Sequence, residues 1–302
     1  MNVLSLFDGI SCGRLALQKS GFEVGNYYSS EIDKYAIKVS TDNWPSIKQM
    51  GDVLDWKNWD LDWGSIDLIL AGSPCQGFSM AGKQLAFDDE RSKLFFVFED
   101  ILNHIQKHNP NVKFILENVK MKREFLDIIT DRLGVEPISI NSSLVSGQNR
   151  FRWYWVNWEF EKPQDKNIKM KDILQDNVDE KYICKEGRVR WLLNYGENKE
   201  KQGYIAINPL KSKCLTVRSE ASWNTTYIAG ADLDVVGWPS NFNNIKKGFV
   251  RRLTPVENER LQTVPDNYTS CVSDAQRYKL LGNGWTVDVV SHILNQMEGN
   301  EE

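Results

Sequence analysis

Short apolar runs alternate with longer amphipathic segments in the first half of the chain. The apolar runs predict the strands Val3–Phe7, Tyr27–Ser30, Asp67–Gly72 and Lys113–Glu117. The segments between them repeat apolar residues at helical spacing and predict the helices Gly13–Lys19, Lys34–Asp42, Leu94–Lys107 and Lys122–Leu133. Strands that alternate with helices in this way are typical of an α/β domain with a largely parallel sheet.

The pattern changes after Trp158, where the chain becomes polar and shows no long apolar helix. Short β-like pieces, Cys214–Val217 and Thr225–Ile228, predict a smaller domain that is mixed or β-rich. The amphipathic segment Val287–Met297 predicts a last helix that returns to the first domain. The predicted bounds are 166–274 for the second domain, and 1–165 together with 275–302 for the first.

The 302 residues have the composition of an ordinary globular protein, 41% hydrophobic and 26% charged. The chain contains no apolar run of the ~18 to 20 residues that a membrane span needs. Its first residues lack the pattern of a signal peptide. We therefore expect an intracellular protein without a membrane partner.

The net charge of −4 by itself argues against a nucleic-acid binder. Net charge averages over all faces, however, and local basic groups can still neutralise phosphates. The candidates are Lys120–Arg123, Arg188 with Arg190, and Lys246–Lys247 with Arg251–Arg252. Each of these groups also suits a solvated surface, so the charge pattern leaves the choice open.

The cysteines argue against a structural metal and against disulfides. They are odd in number and include no CxxC pair: Cys12, Cys75, Cys184, Cys214 and Cys271. The three histidines do not cluster with them: His104, His108 and His292. We expect no zinc site, no disulfide framework and no other metal.

A glycine-rich turn follows the first predicted strand. Gly9 and Gly13 have the spacing G-x-x-x-G, which lets a ligand approach the backbone and favours a nucleoside over a dinucleotide. Glu31, at the end of the second strand, is placed to accept hydrogen bonds from the ribose hydroxyls. Asp52 is placed to accept one from an adenine amino group. The same residues also suit a purely structural turn.

Three polar motifs stand at strand ends, where open α/β sheets collect functional groups. Cys75 follows Gly72-Ser73-Pro74, and Glu117-Asn118 ends another apolar strand. Arg150 and Arg152 are two residues apart, so on a strand both would point to one face. The alternative for Cys75 is a cysteine buried for packing alone. Burial of a lone carboxylate such as Glu117 costs free energy, so its place at a strand end favours a functional role.

These motifs, in this order, resemble those of the DNA (cytosine-5) methyltransferases. The matching stretches are Phe7-Asp8-Gly9, Gly72-Ser73-Pro74-Cys75-Gln76, Glu117-Asn118-Val119, Gln148-Asn149-Arg150-Phe151-Arg152, Arg252-Leu253-Thr254-Pro255 with Glu257, Arg260-Leu261-Gln262, and Leu281-Gly282-Asn283-Gly284. Gly284 departs from the family's usual serine, and Ser73 from a second proline or phenylalanine. Parts of the chain are similar to the de novo branch or to small phage and bacterial enzymes, which implies the cytoplasm of a prokaryote or of a phage-infected cell.

The resemblance implies a catalytic set. Cys75 would attack carbon 6 of cytosine, and Glu117 would bind and protonate N3. Arg152 would hold the O2 atom of the ring, while Arg150 would support phosphate or thiolate charge. Asn118 would orient the loop that carries Cys75.

The resemblance also implies a Rossmann-like domain that binds S-adenosyl-L-methionine and releases S-adenosyl-L-homocysteine. Its expected cofactor-binding residues are Phe7, Asp8, Gly9, Glu31, Ile32, Asp52, Val53, Leu94, Asn283 and Gly284. Phe7 would place an aromatic face near the positive sulfonium, although core packing also explains it.

Double-stranded DNA is the implied partner, bound by a monomer, with the target cytosine flipped out of the helix. The expected nucleic-acid contacts are Gln76, Ser79, Gln148, Arg218 and Trp223. The loop Gly77–Lys93 would close over the base. A tRNA methyltransferase of the same fold, a non-catalytic DNA-binding homologue and a folate methyl donor are the alternatives.

Overall fold

The computed structural model describes residues 1–73, 93–218, 225–230 and 250–297. The chain divides into two compact units. The first unit comprises 1–141, 151–163 and 287–302, and the second comprises 142–150 and 164–286. None of the described helices combines the length and apolar character that crossing a bilayer requires.

The first unit is built on a seven-stranded sheet. Its strands are β1 (Val3–Leu6), β2 (Tyr27–Ser30), β3 (Lys48–Gln49), β4 (Leu68–Ala71), β5 (Lys113–Val119), β6 (Ile138–Asn141) and β7 (Phe151–Val156). They lie in the order β3-β2-β1-β4-β5-β7-β6. The first five are parallel, and β7 runs antiparallel to both β5 and β6. The predicted α/β fold with a mostly parallel sheet is confirmed.

The helices of this unit lie at the positions that the apolar pattern predicts. They are α1 (Cys12–Lys19), α2 (Lys34–Asn43), α3 (Lys93–His108), α4 (Arg123–Leu133) and the C-terminal helix Val287–Leu294. The central strands β1 and β4 are buried at every residue, as expected where helices cover a parallel sheet. The main core joins strand residues such as Leu4 and Phe114 to Phe98 and Ile101 of α3.

The described part of the second unit contains a three-stranded sheet and three helices. Strand β9 (Thr226–Ala229) lies between β8 (Ala206–Ile207), which is parallel to it, and β10 (Val250–Arg252), which is antiparallel. The helices are α5 (Glu186–Lys201), α6 (Pro255–Leu261) and α7 (Asp274–Asn283). Short 3₁₀ turns occur in the two units at Val53–Asn58, Trp63–Ser65, Ser142–Leu144, Met170–Ile173 and Glu180–Tyr182.

The apolar pattern of the sequence did not predict the helix α5, which is 16 residues long. Its sequence is polar, and the residues that it buries fully are Leu192 and Gly196. A helix with so narrow an apolar face leaves almost no periodic signal in the sequence. The β-like piece Cys214–Val217 is also not a strand, whereas the second such piece largely coincides with β9.

The compact units also differ from the predicted domain bounds of 165 and 275. Residues 142–150 and the helix α7 both belong to the second unit. Side chains explain the first difference, since Gln148 donates to the carbonyl oxygen of Leu261 at 2.7 Å and Arg150 donates to that of Gly284 at 2.8 Å.

Three tryptophans in the polar segment Asp55–Trp63 pack locally. Trp56 and Trp63 meet edge to face with ring centroids 5.8 Å apart, and Trp63 lies 5.0 Å from the ring of His104 on α3. Trp59 stacks on Trp63 at 6.4 Å. These rings cover one end of the main core, which accounts for aromatic residues in an otherwise polar segment.

Candidate active site

The polar motifs of the first unit lie at one level of the sheet. Strand register pairs Leu6 with Ser30 and with Ala71, and pairs Ala71 with Leu116. The next residue of each strand therefore occupies the same edge: Phe7, Glu31, Gly72 and Glu117. This edge is the carboxyl end of the parallel strands, where open α/β sheets bind their ligands.

The turn after β1 has an unusual backbone. Phe7, Gly9 and Ser11 all have positive φ, at 57°, 58° and 58°. Glycine adopts this conformation without strain, whereas phenylalanine and serine need surroundings that enforce it. An added Cβ at Gly9 would meet nothing within 4 Å. The glycine is therefore needed for its positive φ and not for lack of room, and the space beside its backbone is open.

Glu31 holds this turn from the neighbouring strand. One carboxylate oxygen accepts a hydrogen bond from the amide of Gly9 at 2.8 Å, and the other accepts from the amides of Ile32 and Asp33 at 2.8 Å. The carboxylate is only partly buried. The oxygen bonded to Gly9 accepts only this one of the three hydrogen bonds, so its second lone pair can accept from a hydroxyl of a ligand.

The remaining predicted cofactor residues of this edge have contrasting exposure. The side chain of Ile32 is 73% exposed, which is unusual for isoleucine and offers an apolar face to a flat ring. Asp52 caps the turn Val53–Asn58 by accepting from the amide of Leu54 at 3.0 Å, and Val53 is buried. Leu54, which follows Val53, is 62% exposed.

Asp8 is another predicted cofactor-binding residue, and its carboxylate points into the protein. It accepts hydrogen bonds from four hydroxyls, those of Ser5, Ser11, Tyr27 and Ser29. Burial raises the pKa of Asp8 above its ordinary value, and the four hydroxyls oppose that rise. The side chain is thus fully engaged in the interior.

Glu117 and Arg152 form an ion pair at the same edge. Arg152 Nε lies 2.7 Å from Glu117 Oε1, with side chains 13% and 10% exposed. The antiparallel register of β5 and β7 explains the contact, since Arg152 lies opposite Val119 and Tyr154 opposite Glu117. A second bond, from Arg152 Nη1 to the carbonyl oxygen of Phe151 at 2.7 Å, fixes the guanidinium.

Asn118 connects the end of β5 to the end of β4. Its side-chain amide donates to Ser73 Oγ at 3.1 Å, and its Oδ1 accepts from the amide of Val119 at 2.8 Å. Both Asn118 and Ser73 are buried. Cys75 follows two residues after Ser73 and lies outside the described residues, as do Gln76, Ser79, Trp223 and most of the loop Gly77–Lys93.

The predicted site residues Arg150 and Gln148 are both buried. Arg150 is 3% exposed and donates to the carbonyl oxygens of Leu215 at 2.9 Å and Gly284 at 2.8 Å. Gln148 is fully buried, and its amide bonds to Leu261 and Gln262. These contacts join both side chains to the backbone of the second unit.

The other predicted positions are more varied. Leu94, at the start of α3, is partly buried against the main core. In the second unit, Asn283 is exposed at the end of α7, while the carbonyl oxygen of Gly284 accepts from Arg150 and from Gln262. Arg218 is exposed. Within the described part of the chain, no group of three or more metal-binding side chains is assembled.

Comparison with known proteins identifies the family. The sequence matches the C-5 cytosine-specific DNA methylase family over residues 1–129 and 143–299. It is 30% identical to the type II methyltransferase M.NlaX of Neisseria lactamica, over 98% of this chain and 96% of that protein. It is 27% identical to the type II methyltransferase M.HhaI of Haemophilus parahaemolyticus, over 97% of this chain and 93% of that one.

Solved structures agree with this assignment at the level of the fold. The S. pombe Dnmt2 methyltransferase superposes with a TM-score of 0.73 at 21% identity, over 98% of this chain and 97% of that one. The Entamoeba histolytica methyltransferase EhMeth superposes with a TM-score of 0.77 at 17% identity, over 100% and 99%. The chain belongs to the C-5 cytosine-specific DNA methylase family and is a DNA (cytosine-5) methyltransferase.

Proposed function

We propose that this enzyme transfers a methyl group from S-adenosyl-L-methionine to carbon 5 of a flipped-out cytosine in double-stranded DNA, through a covalent bond between Cys75 and carbon 6. The observation that carries the proposal is the arrangement at the carboxyl edge of β4 and β5. There the Glu117–Arg152 pair lies beside an Asn118 side chain that bonds to Ser73, two residues before Cys75.

Carbon 5 of cytosine is too weak a nucleophile to take a methyl group unaided. Addition of the Cys75 thiolate to carbon 6 breaks the aromaticity of the ring and moves an electron pair to carbon 5. The negative charge that develops is neutralised as N3 receives a proton from Glu117. One difficult step is thereby divided into two easier ones.

Glu117 and Arg152 supply complementary contacts for the Watson–Crick edge and the O2 atom of the base. A carboxyl group binds N3 and the exocyclic amine, and a guanidinium donates to O2. Their mutual bond at 2.7 Å and their low exposure hold both groups in place before the base arrives. Groups that are oriented in advance need no reorganisation during the reaction.

Asn118 has a positioning role in this scheme. By donating to Ser73 Oγ, it fixes the point at which the chain leaves β4 towards Cys75. A nucleophile must approach carbon 6 along a defined direction, and small displacements reduce the rate strongly.

The cofactor would be held at the ends of β1 and β2 and at the start of the turn Val53–Asn58. Glu31 has acceptor capacity for ribose hydroxyls, Ile32 presents an exposed apolar face for adenine, and the turn at Gly9 leaves open space. When bound, the cofactor supplies an activated methyl group on a positively charged sulfonium. These features suit an adenosyl group better than a folate.

The reaction ends when carbon 5 loses its proton and the sulfur of Cys75 is expelled, which restores the aromatic ring. Attack on carbon 6 requires access to the face of the base, and a duplex does not provide it. The enzyme would therefore act as a monomer on DNA with the cytosine extruded. Arg218, which is exposed, remains a candidate contact to the DNA.

Tritium transfer tests the proposal. The enzyme is incubated with tritiated S-adenosyl-L-methionine and duplex DNA, alongside Cys75→Ser and the matched control Cys271→Ser, whose cysteine is partly buried in the second unit. We expect label in 5-methylcytosine for the native enzyme and the control, and none for Cys75→Ser.

A parallel incubation with tRNA separates the substrates. Label in tRNA but not in DNA would contradict the proposal that DNA is the substrate, and it would leave the proposed methyl-transfer mechanism intact. Equal labelling by Cys75→Ser and native enzyme would contradict the covalent mechanism. The covalent bond itself is checked with duplex DNA carrying 5-fluorocytosine, which should trap a protein–DNA adduct in the native enzyme and not in Cys75→Ser.

A further inference from the structure

The buried carboxylate of Asp8 lies directly under the backbone turn that the proposed function assigns to the cofactor. Its Oδ1 accepts from Ser5 Oγ at 2.6 Å and Tyr27 OH at 2.7 Å. Its Oδ2 accepts from Ser11 Oγ at 2.5 Å and Ser29 Oγ at 2.9 Å. A single side chain thereby collects four hydroxyls from strand β1, strand β2 and the start of α1.

The network extends to a fourth element. Ser11 and Ser40 lie 2.6 Å apart, and the one hydroxyl hydrogen of Ser11 already points to Asp8. Ser40 of α2 must therefore donate to Ser11. Because Ser11 uses its hydroxyl in this way, it makes no side-chain cap at the start of α1, a position where serine usually caps the helix.

In the described part of the chain, the side chains that donate to Asp8 are all hydroxyls, and Ser5, Ser11, Ser29 and Tyr27 are each at most 3% exposed. No charged partner neutralises this carboxylate among the described residues. An unpaired buried carboxylate is unfavourable for folding. This cost is explained if the carboxylate holds the conformation of the turn above it.

That turn is strained and is held from two sides. Phe7 and Ser11 have positive φ without being glycine, which the surrounding structure must enforce. From outside, Glu31 accepts from the amide of Gly9. From inside, Asp8 ties the turn to both strands and both helices. Phe7 and Glu31 also occupy one level of the sheet, so displacement of the turn would disturb both.

We propose that Asp8 is a positioning residue for the cofactor: without touching it, the carboxylate gathers four hydroxyls and fixes the Phe7–Ser11 turn in the conformation that receives the adenosyl group. This inference rests on the proposed binding of S-adenosyl-L-methionine. It goes further by assigning affinity for the cofactor to a buried network of Ser5, Ser11, Tyr27 and Ser29.

Asp8→Asn tests the proposal, since it keeps the shape but replaces one acceptor atom with a donor. The hydroxyls that met that atom must rotate away or lose a bond, and the turn relaxes. We expect the Kd for S-adenosyl-L-methionine, measured by titration calorimetry, to rise about tenfold or more. The KM for the cofactor should rise in parallel, while kcat at saturating cofactor and the KM for DNA stay within about twofold.

Asp67→Asn is the matched control. The Asp67 carboxylate accepts from the amide of Asn2 at 2.7 Å, at the opposite end of the same parallel strands. Its loss should leave the Kd for the cofactor unchanged, even if the melting temperature falls. A purely structural role for Asp8 would behave like this control, reducing the amount of folded enzyme without changing the Kd.

Tyr27→Phe provides a second variant if Asp8→Asn fails to fold. It removes one hydroxyl and keeps the buried ring, so the Kd should rise by a smaller factor, about threefold. Native affinity in a folded Asp8→Asn or in Tyr27→Phe would overturn the inference and leave the proposed function intact. Absence of cofactor binding by the native enzyme would overturn both.

Discussion

At the scale of single residues, the carboxylates of Glu117 and Asp8 are both buried but have different hydrogen-bonding partners. Glu117 is 8% exposed and faces a guanidinium, whereas Asp8 is 9% exposed and faces hydroxyls. Each arrangement reduces the cost of burying a charge. Glu117 lies at the edge beside the end of β4, where a base could meet it, so we propose the chemical role for Glu117 and not for Asp8.

Glu117→Gln tests this role. Glutamine keeps the size and the hydrogen-bonding capacity but cannot supply a proton, so methyl transfer to DNA should fall by about 10²- to 10⁴-fold. The Kd for S-adenosyl-L-methionine should stay unchanged. Transfer is measured with tritiated cofactor under single-turnover conditions.

Glu99→Gln is its control, because Glu99 is also a partly buried glutamate with an arginine partner, Arg132 at 3.3 Å. It lies on α3, outside the motifs. We expect it to keep the native rate. A native rate in Glu117→Gln would remove this residue from the mechanism.

At the scale of elements, the second unit depends on close backbone packing between α7 and the segment that contains Thr216. A Cβ added to Gly282 would lie 2.3 Å from the carbonyl carbon of Thr216 and 2.6 Å from the amide nitrogen of Val217. Arg150 bonds to the carbonyl oxygens of Leu215 and Gly282 and so joins the same two segments. These contacts explain why the β-like sequence Cys214–Val217 does not pair as a strand.

Gly282→Ala should therefore destabilise the protein, by about 1 to 3 kcal/mol, because backbone atoms must shift to admit the methyl group. Gly187→Ala is the opposite case. Gly187 lies in α5 with nothing within 4 Å of an added Cβ, so the substitution should stabilise by about 0.5 to 1 kcal/mol. Urea unfolding measures both. Equal stability of the two variants would contradict the packing argument.

At the scale of the whole molecule, the two units are stabilised differently. Among the described residues, the first has a large apolar core around its sheet. The described residues of the second form smaller apolar clusters and buried ion pairs, Arg251 with Glu257 at 2.8 Å and Arg277 with Glu259 at 2.9 Å. Glu257 also completes the capping box at the start of α6 with Thr254.

Glu257→Gln should lower the free energy of unfolding by about 3 to 5 kcal/mol, because Arg251 is left as a buried charge without its counterion. Glu186→Gln removes an exposed ion pair with Arg190 on α5 and should have no measurable effect. Thermal unfolding followed by circular dichroism compares the two. A small loss for Glu257→Gln would mean that the buried pair contributes little.

The strands β1, β2, β4 and β5, the helices around them and the family could be predicted from the sequence alone, whereas β3, β6 and β7 were not predicted. Continuous apolar runs mark strands that are buried on both faces, and apolar residues at a period of 3.6 mark the buried face of a helix. The motifs around Cys75, Glu117 and Arg152 indicate the proposed methyl transfer, because the type of a side chain limits the reactions in which it can take part. Local sequence carries both kinds of information.

The direction of the polar side chains was decided only by the tertiary structure. The bonding partners of Gln148 and Arg150 include Leu261 and Gly284, more than a hundred residues further along the chain. Asp8 turns inward to hydroxyls of two strands and a helix, although its motif suggested a ligand. Periodicity describes where apolar surface is buried, but the partner of a buried polar group is set by distant segments that fold against it.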